Sequence, residues 1–156
     1  MRLQMVGCSH HESSLDVRER FAFSADQTKE ALSNWRQQFP NCEAVLISTC
    51  NRVEMYTAGT DRLKTPTRET VAKFLARFHE IPQDAVFDQL LERSGEDAVR
   101  HLFTVAASLD SMVVGEPQIL SQVKQAYQLA CQQKSTGPLT HSAFQTALRV
   151  AGLIHQ

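Results

Sequence analysis

The chain has 156 residues, 42% hydrophobic and 21% charged, enough to bury a core without disulfides or a structural metal. A formal net charge of −1 excludes a molecule-wide basic field for nucleic acid, so contact with a polyanion has to be local. No stretch approaches the roughly 20 apolar residues of a membrane span. The residues after Met1 are too polar for a signal peptide, so a cytoplasmic protein without membrane contact is expected.

In chain order, residues 2–10 (RLQMVGCSH) read as a first strand, with loose alternation and a β-branched Val6. The following polar stretch carries Arg18, Glu19 and Arg20, which on a helix would form a solvated face. Residues 24–39 read as a helix capped by Ser24, with Ala31, Leu32 and Trp35 at helical spacing. The run at 43–49 (EAVLIST) is short and continuously apolar, as in a buried central strand. Residues 52–58 (RVEMYTA) alternate with period two and read as a strand with one wet face.

A second helix is expected over 65–81, capped by Thr65 or Thr67, with Val71, Phe74, Leu75 and Phe78 inward. A short helical turn follows Pro82, and 87–93 (FDQLLER) fits a last edge strand. From Ser94 the chain turns helical, with Ser94 and Asp97 placed as a capping pair and Ala98, Leu102, Val105 and Leu109 inward. Another helix is expected over 116–134, with Pro117 at its first position. Residues 135–140 (STGPLT) read as a turn. A last helix from His141 to Gln156 has no stop signal and reads as part of something longer.

The order β-α-β-β-α-β over about 1–93 is the split βαβ, ferredoxin-like pattern. The expected fold is therefore α+β: an antiparallel sheet with two helices on one face, followed by a helical part over about 94–156. The whole 1–156 stretch is read as a single domain.

The cysteines Cys8, Cys42, Cys50 and Cys131 show no CxxC spacing, so reduced thiols are expected rather than a disulfide framework. The histidines are scattered except for His10-His11. Neighbours on a strand point apart, so no metal site is expected.

Cys50 has two readings: a small buried hydrophobe, or a nucleophile raised to the sheet rim by a turn at Asn51. In an extended backbone Arg52 shares its face. A guanidinium there favours the thiolate or holds a substrate carboxylate with two hydrogen bonds. His101 lies on the inward stripe of its helix, either as a satisfied core residue or as a general acid or base. Gly115 bends the chain into a helix start at Glu116-Pro117, where free N–H groups face outward. Gln118 and Gln122, four apart, share a helix face there, unless this is simply a solvated helix start.

Three stretches taken together resemble the N-terminal catalytic domain of glutamyl-tRNA reductases: STCNRVEMY (48–56), GCSHHESSLDVRERFAFS (7–24) and HLFTVAASLDSMVVGEPQIL (101–120). The resemblance implies that Cys50 attacks the ester joining glutamate to the terminal ribose of tRNA, leaving a glutamyl thioester. NADPH then reduces this to glutamate 1-semialdehyde for tetrapyrrole (porphyrin) biosynthesis. It implies a substrate pocket of Thr49, Asn51, Arg52, Ser111, Glu116, Pro117, Gln118 and Gln122, with Arg52 on a carboxylate and Glu116 on the ammonium. His101 would be the histidine important for activity.

It implies glutamyl-tRNA as substrate, a downstream aminomutase as partner and a dimeric full-length enzyme, with this stretch alone a monomer. The family's NADPH-binding and dimerisation domains are not in these residues, which carry no Gly-x-Gly-x-x-Gly. A non-catalytic module binding glutamyl-tRNA or a regulatory partner is the alternative. The sequence departs from the family at His11-Glu12, where Lys-Thr is usual, and at Ser108, where glycine is usual.

Overall fold

The computed structural model of the chain describes residues 2–9, 13–59, 66–82, 84, 87–107 and 118–154. Within these residues the first half runs β1 (Leu3–Ser9), α1 (Leu15–Phe21), α2 (Ala25–Gln38), β2 (Cys42–Ser48), β3 (Arg52–Gly59) and α3 (Arg68–Phe78). The second half runs β4 (Leu91–Ser94), α4 (Glu96–Ala106), α5 (Ile119–Gln132) and α6 (Pro138–Ile154). The strands form one antiparallel sheet in the order β2-β3-β1-β4, so the fold is α+β with its last helices C-terminal to the sheet.

Helix starts follow local chemistry where a capping side chain is available. Ser24 caps α2 in a closed box: its hydroxyl accepts from the Gln27 N–H at 3.1 Å, and the Gln27 side chain accepts from the Ser24 N–H at 2.8 Å. Thr67 caps α3 through the Thr70 N–H.

The expected cap of α4 is corrected. Ser94 ends β4, and the cap is Gly95 at φ 60°, with no side-chain capping bond. Gly95 donates its N–H to the Leu3 carbonyl at 2.8 Å, extending the pairing with β1, while its own carbonyl accepts from Ala98 and Val99. Strand becomes helix across one residue, a left-handed position that glycine takes at little cost.

Other boundaries shift. The expected edge strand at 87–93 divides into a 3-10 turn at Phe87–Gln89 and the short β4. The turn expected after Pro82 falls largely outside the described residues. Helix α5 starts at Ile119, and Pro117 lies outside the described residues. Helix α6 starts at Pro138, inside the stretch expected to be a turn, because proline suits a first helical position.

Helix α1 has no counterpart among the expected elements. Ser14 caps it through the Val17 N–H, and Val17 and Phe21 are buried. Its Asp16–Arg20 pair is exposed at 4.0 Å and is worth at most about 1 kcal/mol. Burying each apolar side chain contributes about 1.5–3 kcal/mol, so those two residues hold α1 down.

Register assigns the sheet faces. Leu46, Ser48, Val53, Met55, Val6 and Cys8 share one face. Phe23 and Thr28, at the start of α2, border a cavity with Leu46 and Ser48, and Trp35 of α2 meets Phe74 of α3 edge-on at 5.1 Å. These two helices cover one face, as expected.

The opposite face carries Arg52, Glu54 and Tyr56, and the expectation of a wet face on β3 is overturned: every β3 residue is buried. Helices α4 and α6 cover it, with Phe144 edge-on to Tyr56 at 5.4 Å. Glu43 on β2 ties this layer down, accepting from the Thr140 N–H at 2.8 Å and the Thr140 hydroxyl at 2.7 Å. Beside α5, Ser135 accepts from the Ala44 N–H and donates its hydroxyl to the Ala44 carbonyl, both at 2.8 Å, along the outer edge of β2. No helix among the described residues is long and apolar enough to cross a membrane.

Candidate active site

A backbone bond from the Thr49 N–H to the Arg52 carbonyl, at 2.8 Å, closes the turn joining β2 to β3. Inside it the Thr49 hydroxyl accepts from the Asn51 N–H at 3.1 Å, a side-chain-to-backbone bond that stands in for part of a backbone turn. Neither Cys50 nor Asn51 has positive φ. Thr49 is buried and Asn51 half-buried, while Cys50 at the tip is exposed. The reading of Cys50 as a small core residue is therefore set aside. Cys50 sits in a turn and not on an extended strand, so the period-two argument pairing it with Arg52 does not apply.

Arg52 opens β3 and is fully buried. Its Nη1 donates to Glu54 Oε2 at 3.2 Å. The same oxygen meets His101 Nε2 of α4 at 2.7 Å, and Oε1 accepts from the Tyr56 hydroxyl at 2.9 Å. Burial is the largest influence on the Glu54 carboxyl and pushes it up. Hydrogen bonding and charge from His101, the Arg52 guanidinium and the Tyr56 hydroxyl outweigh it and hold the group below its ordinary range. The space is kept by Gly7 on β1, directly opposite Glu54, where a Cβ would strike the Val53 carbonyl and come within 2.8 Å of Glu54 Cα.

Arg52 and His101 are thus brought together, through a residue that sequence reasoning missed. The signal was present: Arg52, Glu54 and Tyr56 stand at every second position of one strand. Among the described residues no hydrogen bond joins His101 to Cys50; the His101 bond goes to Glu54.

Gln118 is the exposed N-cap of α5, and its carbonyl accepts from the Gln122 N–H at 2.9 Å. Gln122 lines a cavity of about 110 Å³ with Phe23 and Ser48, the residue preceding Thr49. Ser48 also accepts from the Phe23 N–H at 2.9 Å. The start of α5 therefore lies at the Cys50 end of β2. Ser111, Glu116 and Pro117 lie outside the described residues, as do His10, His11, Glu12 and Ser108.

Of the polar stretch after β1, Arg20 is exposed and Arg18 half-buried on α1, a largely solvated face. Among the described residues no group of three or more His, Cys, Asp or Glu is placed to hold a metal ion.

The sequence matches the family described as glutamyl-tRNAGlu reductase, N-terminal domain, over residues 6–156. It is 46% identical over 151 residues to a glutamyl-tRNA reductase of Rhodopirellula baltica, covering 97% of this chain and 35% of that protein. Against one from Geobacter metallireducens the identity is 43% over 154 residues, with coverages of 96% and 35%. The solved glutamyl-tRNA reductase from Methanopyrus kandleri superposes with a TM-score of 0.75 at 31% identity, covering 98% of this chain and 34% of that one. The chain spans about a third of the length of these relatives. A buried strand ending in an exposed cysteine, beside a covered Arg-Glu-His cluster, thus sits in a chain that belongs to the glutamyl-tRNA reductase N-terminal domain family.

Proposed function

We propose that this chain carries the acyl-transfer half of glutamyl-tRNA reduction, with Cys50 as nucleophile. The supporting observation is the position of Cys50: exposed, at the tip of a turn fixed by Thr49, at the end of a buried strand. In the proposed step the thiol loses its proton and the sulfur bonds to the carbonyl carbon of the glutamyl ester. The carbon–oxygen bond to the terminal ribose then breaks, and that oxygen takes a proton as the tRNA leaves. Thr49, Asn51, Arg52, Ser111, Glu116, Pro117, Gln118 and Gln122 are proposed as the glutamate pocket. Arg52, which bonds Glu54, is proposed to hold the substrate side-chain carboxylate. His101 is proposed to accept or return protons.

Residues 1–93 are read as the ferredoxin-like part and 94–156 as the helical part of one catalytic domain. NADPH does not fit the described residues: the sheet is antiparallel throughout, and β4 passes into α4 through the single Gly95, without the Gly-x-Gly-x-x-Gly run that cradles a dinucleotide. Hydride delivery is accordingly not assigned to them, and this chain alone is expected to acylate without reducing. The binding-module alternative needed a buried, inert Cys50, and the exposed thiol weighs against it.

The test is to incubate the chain with glutamyl-tRNA labelled on glutamate and measure protein-bound label that a small thiol releases. Label is expected on the native chain and absent from Cys50→Ser. A Cys50→Ser protein that still acquires thiol-labile label would rule the proposal out.

A further inference from the structure

We infer that the groove between α2 and α3 is a docking track for the unpaired acceptor strand of the tRNA, with Lys73 and Arg77 on its phosphates. The inference rests on the reading of glutamyl-tRNA as the substrate brought to Cys50.

A cavity of about 390 Å³ opens between the two helices. Its α3 wall carries Lys73 and Arg77, one turn apart and both exposed. Its α2 wall carries the amides Asn34 and Gln38, also one turn apart, and the half-buried rings of Phe39 and Phe78 lie between. None of the residues lining it is acidic. With a formal charge of −1 over the whole chain, a polyanion needs such a local concentration of positive charge.

The two cations are also left uncommitted by their neighbours. Glu69 stands four residues before Lys73 and Glu80 three after Arg77, spacings at which opposite charges usually pair. Among the described residues neither cation forms an ion pair, and both side chains line the groove instead. Cations that take phosphates, beside rings that take bases, are the combination that single strands use. The Asn34 and Gln38 amides can donate and accept at once, which suits base edges and the ribose 2′-hydroxyl.

The groove leads toward the thiol. At one end the Phe78 ring meets Phe23 at 5.0 Å, and the Phe23 N–H bonds the hydroxyl of Ser48, two residues before Cys50. The reacting ester sits on the terminal ribose, so the nucleotides before it have to leave Cys50 across the protein surface. The layer of α2 and α3 borders that end of the sheet.

The test measures tRNA binding by fluorescence anisotropy across a salt series, with every protein in a Cys50→Ser background so that no ester is consumed. Lys73→Gln/Arg77→Gln is compared with Arg100→Gln/Arg149→Gln, which removes the same charge from exposed positions on α4 and α6. The groove pair should weaken binding about 10-fold and lower the slope of log affinity against log salt by about 1.4, two single-strand phosphates at roughly 0.7 each. The control pair should leave the slope unchanged. With Cys50 restored, the groove pair should acylate at the native single-turnover rate at saturating glutamyl-tRNA, with only the half-saturating concentration raised. An unchanged slope in the groove pair would overturn the inference, as would an equal loss in both pairs or a native chain without measurable affinity for tRNA. A native chain that binds tRNA but never acquires thiol-labile label would sink the thioester reading alone, and the salt slopes would still decide the groove.

Discussion

The thiols of this chain differ by burial. Burial pushes the Cys8 and Cys42 thiols up to about 11, against weaker opposing hydrogen bonds, and both are shielded from solvent. Cys50 is exposed. A brief treatment with iodoacetamide at neutral pH should label Cys50 and spare Cys8 and Cys42 until the protein is denatured, as read by peptide mass spectrometry. Equal labelling of all three in the native state would contradict the burial described.

Arg52→Lys should lose most acylation and some stability, because an ammonium cannot reproduce the guanidinium's planar fork while bonded to Glu54. Near-native single-turnover rates in that variant would remove Arg52 from the substrate pocket. Acid stability should report Glu54. Its folded carboxyl titrates below the ordinary value of 4.5, since the His101, Arg52 and Tyr56 contacts outweigh burial. The stabilisation is therefore present in full above that value and is lost as pH falls through the lower, folded one. Urea unfolding across acidic pH should show a shallower loss for Glu54→Gln than for the native chain. Glu54 stayed hidden in the sequence because period two reports a polar face without saying whether water or another element covers it. Here the cover is α4 and α6, tens of residues further on.

Elements governed by their own ends were the legible ones. Helices α2 and α3 begin where Ser24 and Thr67 cap them, since capping chemistry is local. Helix α1 was not legible: with only Val17 and Phe21 inward, one i,i+4 pair is too short a period to detect. The start of α6 depends on a partner nearly a hundred residues away. Glu43 accepts from the Leu139 N–H at 3.4 Å as well as from Thr140, at a helix end where a carboxylate also favours the dipole. Glu43→Ala should lower unfolding stability by about 1 kcal/mol, the usual scale for a lost cap. Amide exchange in the first turn of α6 should accelerate with it. Unchanged exchange there would mean that Pro138 alone sets the helix start.

For the molecule as a whole, the α+β class and the antiparallel sheet were readable from the β-α-β-β-α-β sequence of elements. The double-sided covering of the sheet was not, because the last helices could have packed anywhere that buried their apolar stripes. The close approach of β1 to β3 at Gly7 is a property of the assembled sheet. Gly7→Ala should cost roughly 1–3 kcal/mol, the usual scale of overpacking, read as a lower thermal midpoint and a weakened His101–Glu54 contact. A protein of native stability would show that the strands separate there easily.

An exposed sheet edge offers unpaired donors and acceptors to any passing strand and invites aggregation. On β2, Ser135 occupies both the N–H and the carbonyl of Ala44, so a foreign strand finds its first docking point already taken. At the opposite border β4 is only 4 residues long, too short a template for much growth. Self-association of this domain should therefore proceed through helix faces, and the sheet should resist seeding fibres even when the chain is concentrated.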